Sequence, residues 1–373
     1  MNYTELFSVD NLFGSNSDSS NPIMWIIWIV PIVLFVFYGQ RIQLMVTSGE
    51  INKGIEKLSR YKEETRKDLL DYLQKKSSGD VSKKIDGYLE YFTIFPVDMD
   101  PNGIMPKIKH LLRSREDYTK IQVMALAQNL SALEASKIQN MLEVVTSLNL
   151  LHKMVRHLFL TAKKQNNFPL ILPLQMMMPF IMEQAEALKG AVPALKAGQP
   201  IGDGIGPMVV GKMMLNSEKK PIGLETVYSE LQFEGRNLVL LKAEGPAATV
   251  GRPGDAVEAL VAQKRPDLII MIDAGLKLEG EVSGTIAQGF GAAIGGIGTD
   301  RFQIEEAATK NNIPVYAIVI KQSIKEAITL MTKEIADKAE EVESQIHSMI
   351  KENVKPEQTV LLVGVGNTLG VPQ

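Results

Sequence analysis

Cysteine is absent from this 373-residue chain, and histidine occurs four times. The absence of cysteine excludes disulfide bonds, thiolate nucleophiles and metal sites built on cysteine ligands. No two histidines have the spacing of a helical zinc-binding motif, so the sequence predicts no histidine-rich metal site. An excess of positive charge is also missing, because the formal net charge is −3. We therefore expect no nucleic-acid partner.

One long uncharged run lies in the N-terminal region. Residues 19–40 contain no charged side chain, and Pro22 to Gly39 read PIMWIIWIVPIVLFVFYG. A helix of this length can cross a hydrocarbon core of about 30 Å. The sequence therefore predicts a transmembrane helix at 22–40.

The charges around this run predict an orientation. Lysine and arginine follow the run and are missing before it, so we expect a single-pass membrane protein with residues 1–21 outside and the bulk of the chain in the cytoplasm. Residues 41–80 are predicted to form a charged helical stalk and linker. Their apolar stripe fits either a coiled coil that joins two copies of the chain or a solvated helix.

Residues 81–197 show mostly helical periodicity and predict a helical middle domain. The most apolar stretch, 169–188, contains Pro173 and Pro179, which we expect to break a membrane span. We interpret this stretch as a core or interfacial helix. Nothing in this domain predicts chemistry.

Over residues 198–373 the sequence pattern changes to alternating strands and helices. Four apolar runs without alternation predict buried strands. Helical stretches around 253–264, 301–311 and 323–352 separate them. The predicted strands are Asn237–Lys242, Asp267–Ile272, Pro314–Ile320 and Thr359–Val365. This order predicts a doubly wound, mainly parallel sheet that binds its ligand at the carboxyl ends of the strands.

Three features fall at those strand ends. Asp273 follows DLIIMI directly, where it is either functional or a cap of the next turn. The segment GTIAQGFGAAIGGIGTD, residues 284–300, holds six glycines and is either a cradle for a substrate or a close-packed loop. The segment GDGIGPMVVGKMM carries Asp203, and Pro207 stands where a helix would begin.

The last feature and the final stretch of sequence complement each other. GDGIGPMVVGKMM has a turn and a helix without a strand before them, whereas TVLLVGVGNTLG has a strand and a turn without a helix after them. Joined in space, they complete one strand–turn–helix unit, as a circular permutation would produce. This hypothesis places strand 359–365 in the centre of the sheet, with Gly366–Gly370 beside Gly202–Gly206.

These segments resemble a known family. VAQKRPDLIIMIDAG, GTIAQ, the glycine-rich loop and IPVYAIVIKQSIKEAITL are similar to the core of the spore germination proteases, and GDGIGPMVV resembles their Asp-Ala-Leu-Gly-Pro segment. The related hydrogenase maturation proteases share the strand-end motifs. The resemblance covers roughly residues 199–373 and implies a peptidase-like topology in permuted order. The overall layout also resembles an archaeal, membrane-anchored family of unknown function.

The resemblance implies roles for two aspartates. In the germination proteases, two aspartates are associated with peptide cleavage, and they match Asp203 and Asp273. The resemblance therefore implies that the chain hydrolyses proteins or peptides. One carboxyl would act as a base on water and the other as an acid. In the hydrogenase enzymes a histidine helps to bind nickel, but no histidine lies between residues 158 and 346. No cofactor is predicted, and a divalent metal between the two aspartates has no support.

The glycine turns supply further candidates for binding a substrate or an anion. They are Gly202, Gly204, Gly206, Thr285, Gln288, Gly289, Gly291, Gly364, Gly366, Asn367 and Thr368. Two other interpretations remain open: a module that binds a nucleotide, an oxyanion or a peptide without turnover, and a scaffold with an inactive hydrolase fold. GVGNTLG matches a dinucleotide-binding turn only loosely, because its last glycine is one residue late.

Overall fold

A computed structural model describes residues 22–74, 81–90, 103–126, 130–165, 168–223, 225–296 and 298–372. The chain divides into two compact units, one of Met1–Lys53 and Leu158–Met176, the other of Gly54–His157 and Met177–Gln373. The helices of the described residues are α1 (Pro22–Gln74), α2 (Val81–Leu89), α3 (Ile104–Leu126), α4 (Ala132–Lys164), α5 (Phe168–Ala197), α6 (Ile205–Met213), α7 (Pro253–Lys264), α8 (Thr299–Lys310), α9 (Ile324–Ile328) and α10 (Lys333–Asn353).

The N-terminal apolar run forms the beginning of a much longer helix than expected. Residues 22–40 open α1, which continues without interruption through strongly charged turns to Gln74. Across the residues that the structure describes, no helix has an apolar stretch long enough to span a membrane. The prediction of a transmembrane helix at 22–40 is therefore wrong. The predicted outer segment 1–21 and the linker at 77–80 lie outside the described residues.

Within the second unit, the predicted stalk packs along α5. Lys57 Nζ lies 2.5 Å from Glu186 Oε1, and Lys196 Nζ lies 2.6 Å from Asp68 Oδ1. Leu58 is fully buried between these charged positions. The apolar stripe of residues 54–74 is thus covered by the chain itself. Helix α5 also runs through its prolines, which do not break it as expected.

The sheet of the second unit has seven strands in the order β1-β2-β3-β7-β4-β6-β5. These are β1 (Lys220–Pro221), β2 (Thr226–Phe233), β3 (Arg236–Ala243), β4 (Leu268–Leu276), β5 (Ile286–Phe290), β6 (Val315–Gln322) and β7 (Thr359–Gly364). The four central strands are parallel to one another. Antiparallel strands flank them on both sides, so the sheet is mixed. The sequence predicted a mainly parallel sheet.

Strand β7 lies in the centre of the sheet, as predicted. It pairs with β3 on one side, where Leu238 lies opposite Val360, and with β4 on the other. Helices α6 and α10 cover one face, and α7 and α8 cover the other. The sheet is thus doubly wound, and β7 has apolar side chains at all four positions from 360 to 363 because both of its faces are buried.

A charged seam joins α3 to the α/β part of the second unit. Asp255, in the first turn of α7, accepts a hydrogen bond of 2.7 Å from Lys109 and forms an ion pair with Arg113. At the end of the same helix α3, Lys120 pairs with Glu225. These bonds hold α3 against the start of α7.

Candidate functional site

The carboxyl ends of the parallel strands meet beside the end of β7. Ile272 of β4 lies opposite Gly364, the last residue of β7. Asp273 comes next, so it lies just past the end of β7, although β4 itself continues to Leu276. Its side chain faces α7 and α8, because residues alternate along a strand and Met271 belongs to that face.

Asp203 reaches the same edge from a different element. It is the middle residue of a 3-10 turn, Gly202–Gly204, directly before α6. Its Oδ2 accepts a hydrogen bond of 2.7 Å from the backbone N–H of Asn367, in the turn after β7. The φ angle of Gly366 is +136°, and a side chain there would overlap the carbonyl oxygen of Asp203. The glycine turn therefore lies beside Gly202–Gly206, as the permutation hypothesis predicted.

The carboxyl of Asp273 is enclosed. The residue is 7% exposed, and its Oδ1 accepts a hydrogen bond of 2.8 Å from the N–H of Ala274. The backbone of Gly295, from the glycine-rich loop, also hydrogen-bonds this carboxyl. Burial and the negative charge of Asp203 raise the pKa of Asp273 to about 8, although these backbone bonds act in the opposite direction.

Burial also changes the pKa of the Asp203 carboxyl. Burial of this carboxyl raises its pKa, and the hydrogen bond from Asn367 partly opposes the rise. Because the charge of Asp203 acts on Asp273, the two carboxyls form an interacting pair at one edge of the sheet. Two such groups resist a second negative charge and share a proton at intermediate pH.

Several backbone N–H groups in and beside the two glycine turns donate to protein acceptors. Besides that of Asn367, they include Val365 to Ile272 O at 2.8 Å, Thr368 to Thr249 O at 2.9 Å, Leu369 to Asn367 Oδ1 at 2.9 Å, Gly202 to Thr329 O at 3.2 Å and Gly204 to Ile201 O at 2.9 Å. These donors hold the loops together. The predicted role of the two turns in binding an anion or a substrate stays a prediction, and it would need these donors to exchange their acceptors.

The predicted residues of the glycine-rich segment lie on a different strand. Thr285 stands before β5, and Gln288 and Gly289 belong to β5, at the edge of the sheet. Asp273 and Ala287 both lie opposite Val319 of β6, so β5 is two strand spacings, or about 10 Å, from Asp273. Gly291 follows β5. The later part of the segment, at Gly295, is what reaches the aspartate.

Two polar residues near the turns were not predicted from the sequence. Gln322, fully buried at the end of β6, donates a hydrogen bond of 3.0 Å from Nε2 to Gly202 O, and its Oε1 has no partner among the described residues. A glutamine in an apolar strand was the available signal. Asn140 of α4 accepts a hydrogen bond of 3.3 Å from the side chain of Asn367. Its sequence context offers no signal.

Metal ligands are sparse around the pair. Over the part of the chain that the structure describes, no group of three or more histidine, cysteine, aspartate or glutamate side chains is placed to hold a metal ion. Asp203 and Asp273 are two carboxyl groups whose hydrogen bonds come from backbone amides.

Comparisons with known proteins give a family but no activity. No curated protein matches the chain significantly. Two family models match consecutive parts: the protein of unknown function (DUF1512) N-terminal domain over residues 25–198, and the domain of unknown function (DUF1512) C-terminal over residues 201–372. The helical part thus corresponds to one domain of the family, and the sheet with both aspartates to the other. The two matches follow one another along nearly the whole chain, which therefore belongs to the DUF1512 family.

Proposed function

We propose that the chain hydrolyses amide bonds in proteins or peptides and that Asp203 and Asp273 are its acid and base. The observation that carries this proposal is that the carboxyls of Asp203 and Asp273 lie at the same carboxyl edge of the sheet, each held by a backbone hydrogen bond, with Asp273 buried. Catalytic carboxyls acquire their separate roles in this way, because a shared environment holds one protonated while the other is ionised.

The chemistry requires one proton between the two groups. With a pKa of about 8, Asp273 keeps its proton at neutral pH. Asp203, when ionised, takes a proton from a water molecule as the water oxygen attacks the amide carbon. Asp273 gives its proton to the leaving nitrogen as the C–N bond breaks. The overall reaction adds one water across the amide, and the proton returns from Asp203 to Asp273 through solvent.

Three backbone donors fix the direction of the two carboxyls. Asn367 bonds Asp203, whereas Ala274 and Gly295 bond Asp273. A proton-transfer group works only within hydrogen-bonding distance of its target, so a fixed orientation supports this role. The donors come from β4, from the turn after β7 and from the glycine-rich loop.

The same backbone bonds favour a second candidate, a peptide-binding module without turnover. An aspartate that accepts backbone hydrogen bonds also serves to tie loops together. In that case Asp203 and Asp273 would maintain the shape of the edge and would take no part in proton transfer. The two candidates differ in whether the aspartates are needed for cleavage or for folding.

The deciding experiment incubates the full chain with a library of peptides from digested protein and identifies products by mass spectrometry. The proposal expects new termini with the natural chain and none with Asp203→Asn or Asp273→Asn, while both variants remain folded by circular dichroism. Asp337→Asn, at an exposed aspartate of α10, is the matched control and should cleave normally. No cleavage by the natural chain, or equal cleavage by both variants, would overturn the proposal.

A further inference from the structure

Lys242 lies in an unusual place for a lysine. It is 1% exposed and is among the largest fully buried side chains of the described residues. It stands near the end of β3, opposite Gly364 of β7. Strand alternation places it on the same face as Leu238 and Leu240, which belong to the apolar core under α6 and α10. Lysine is almost never fully buried unless it is paired.

The ammonium of Lys242 has little compensation for this burial. Its hydrogen bond of 3.1 Å goes to the carbonyl oxygen of Ala243. Among the described residues no carboxylate forms a salt bridge with it. Burial and the positive charge of Lys219 lower the pKa of Lys242 to about 8, and the charge of Glu244 acts in the opposite direction. With a pKa of about 8, about a tenth of this side chain is a neutral amine at pH 7, far more than for a lysine with the ordinary pKa.

A cavity lies close to this amine, and a few residues separate the two. Its volume is about 370 Å³, within the range of small-molecule sites. Residues of α6 and α10, Leu215 after α6 and the segment 371–372 line it. The lining is mostly apolar and includes Met208, Leu215, Ala336 and Ala339, and its charged members are Lys212, Asp337 and Glu340.

The wall between Lys242 and the cavity consists of Gly211, Val371 and Pro372. A Cβ on Gly211 would lie 3.3 Å from Lys242 Cε and 3.5 Å from Pro372 O, so the absence of a side chain there brings the lysine close to the cavity. All three wall residues also line the cavity. Residues 371 and 372 belong to no helix or strand. Val371 is buried and its N–H donates to Thr368 O at 2.9 Å, whereas Pro372 is exposed. Access from the cavity to the amine requires this short segment to shift.

We propose that Lys242 is a nucleophilic amine that forms an imine with a small, uncharged aldehyde or ketone admitted through the cavity between α6 and α10. The nitrogen lone pair of the neutral amine attacks the carbonyl carbon. The C–O bond then breaks, the C=N bond forms, and both hydrogens of the amine leave with the oxygen as water. Desolvated lysines in apolar surroundings act as nucleophiles in this way. This site is separate from the aspartate pair and does not depend on the proposed hydrolase activity.

The test is site-resolved labelling of the natural full chain. The protein is incubated with benzaldehyde and cyanoborohydride, which reduces imines to stable secondary amines, and peptide mapping gives the rate at each lysine. We expect Lys242 to be labelled at least about tenfold faster at pH 7.5 than Lys212, an exposed lysine at the cavity, because with a pKa of about 8 roughly a quarter of the Lys242 amine is neutral at that pH. The rate at Lys242 should rise with pH through about 8. Labelling of Lys212 with none at Lys242 would overturn the proposal.

Two variants test whether the cavity is the route. Ala336→Phe fills the cavity from α10 and should slow labelling of Lys242 without slowing that of Lys212. Ala336→Ser, the matched control, adds little volume and should leave the Lys242 rate near that of the natural chain. Asp203→Asn should not change it either, which separates this site from the hydrolase proposal. If the phenylalanine variant labels as fast as the serine variant, the cavity is not the route and the proposal fails.

Discussion

The backbone N–H of Asn367 donates a hydrogen bond of 2.7 Å to Asp203 Oδ2, across 164 positions of sequence. This single bond joins the turn after the central strand to the turn before α6. The side chain of Asn367 in turn donates to Asn140 of α4. One asparagine therefore links the helical part of the chain, the sheet and one carboxyl of the interacting pair.

The raised pKa of Asp273 predicts a pH-dependent stability. An aspartate has a pKa near 3.8 when unperturbed, whereas Asp273 has a pKa of about 8 in the folded chain. The folded state then binds the proton more tightly, so this group's contribution to stability is complete below about pH 4 and is lost as pH rises to about 8. Replacement of Asp273 by asparagine should flatten this slope and raise the free energy of unfolding at pH 8 and above by several kcal/mol.

Urea unfolding at pH 5, 7 and 9 measures this effect. Asp337→Asn, at an exposed position, is the control and should keep the slope of the natural chain. A slope that is the same in the Asp273→Asn variant would mean that Asp273 titrates in the normal range.

Removal of the charge at Asp203 should act on Asp273. Because the negative charge of Asp203 raises the pKa of Asp273, Asp203→Asn should lower that pKa, while burial still holds it above the normal value. Carbon-13 NMR of labelled aspartate carboxyls follows the titration directly. An unchanged Asp273 titration in a folded Asp203→Asn variant would show that the carboxyls do not interact.

Gly366 should tolerate no side chain. In Gly366→Ala the new methyl group would overlap the carbonyl oxygen of Asp203, at a φ angle that favours glycine. We expect a loss of about 3 kcal/mol or more, or failure to fold. Gly280→Ala is the matched control, because Gly280 has a φ of +89° but open space around it, and it should cost only about 1 kcal/mol. Equal losses in the two variants, measured by urea unfolding, would contradict the close approach.

The seam at Asp255 should hold α3 in place. Burial by itself would raise the pKa of Asp255, but hydrogen bonds from Lys109 and Gln303 and the charge of Arg113 lower it below the normal value. Asp255→Ala leaves two cations without this partner and should cost about 2 kcal/mol. Amide hydrogen exchange across residues 103–126 should become faster. Protection that matches the natural chain, with Asp337→Ala as the comparison, would mean that the seam adds nothing.

The buried strands could be predicted because their composition is uniform. Strand β6 and the predicted run 314–320 differ by one residue at the start and two at the end, and helix α7 has the predicted bounds. Strands buried on both faces need apolar residues at every position, which makes them visible in sequence. The flanking strands β2 and β5 were missed, because each has one exposed side and a mixed composition.

Other differences have causes that the apolar pattern of the sequence does not show. The predicted helix 323–352 is two helices, α9 and α10, because Thr332 caps a new start with a hydrogen bond from Ile335 N–H. The membrane prediction considered only the apolar run at 22–40 and not the longer helix that contains it. The proximity of Asp203 and Asp273 was accessible through the complementary turns, whereas the contact of Asn140 with Asn367 had no counterpart in the sequence pattern.

The position of β7 has a consequence during synthesis. A ribosome completes β3, β4 and β6 before it makes β7, yet β7 is the strand that lies between β3 and β4. Until it emerges, two apolar strands have unpaired inner edges, which are templates for association with other chains. The nascent α/β part must therefore be kept apart from its neighbours until residue 364 has left the exit tunnel, and a polysome crowded with such chains is where this fold is most vulnerable.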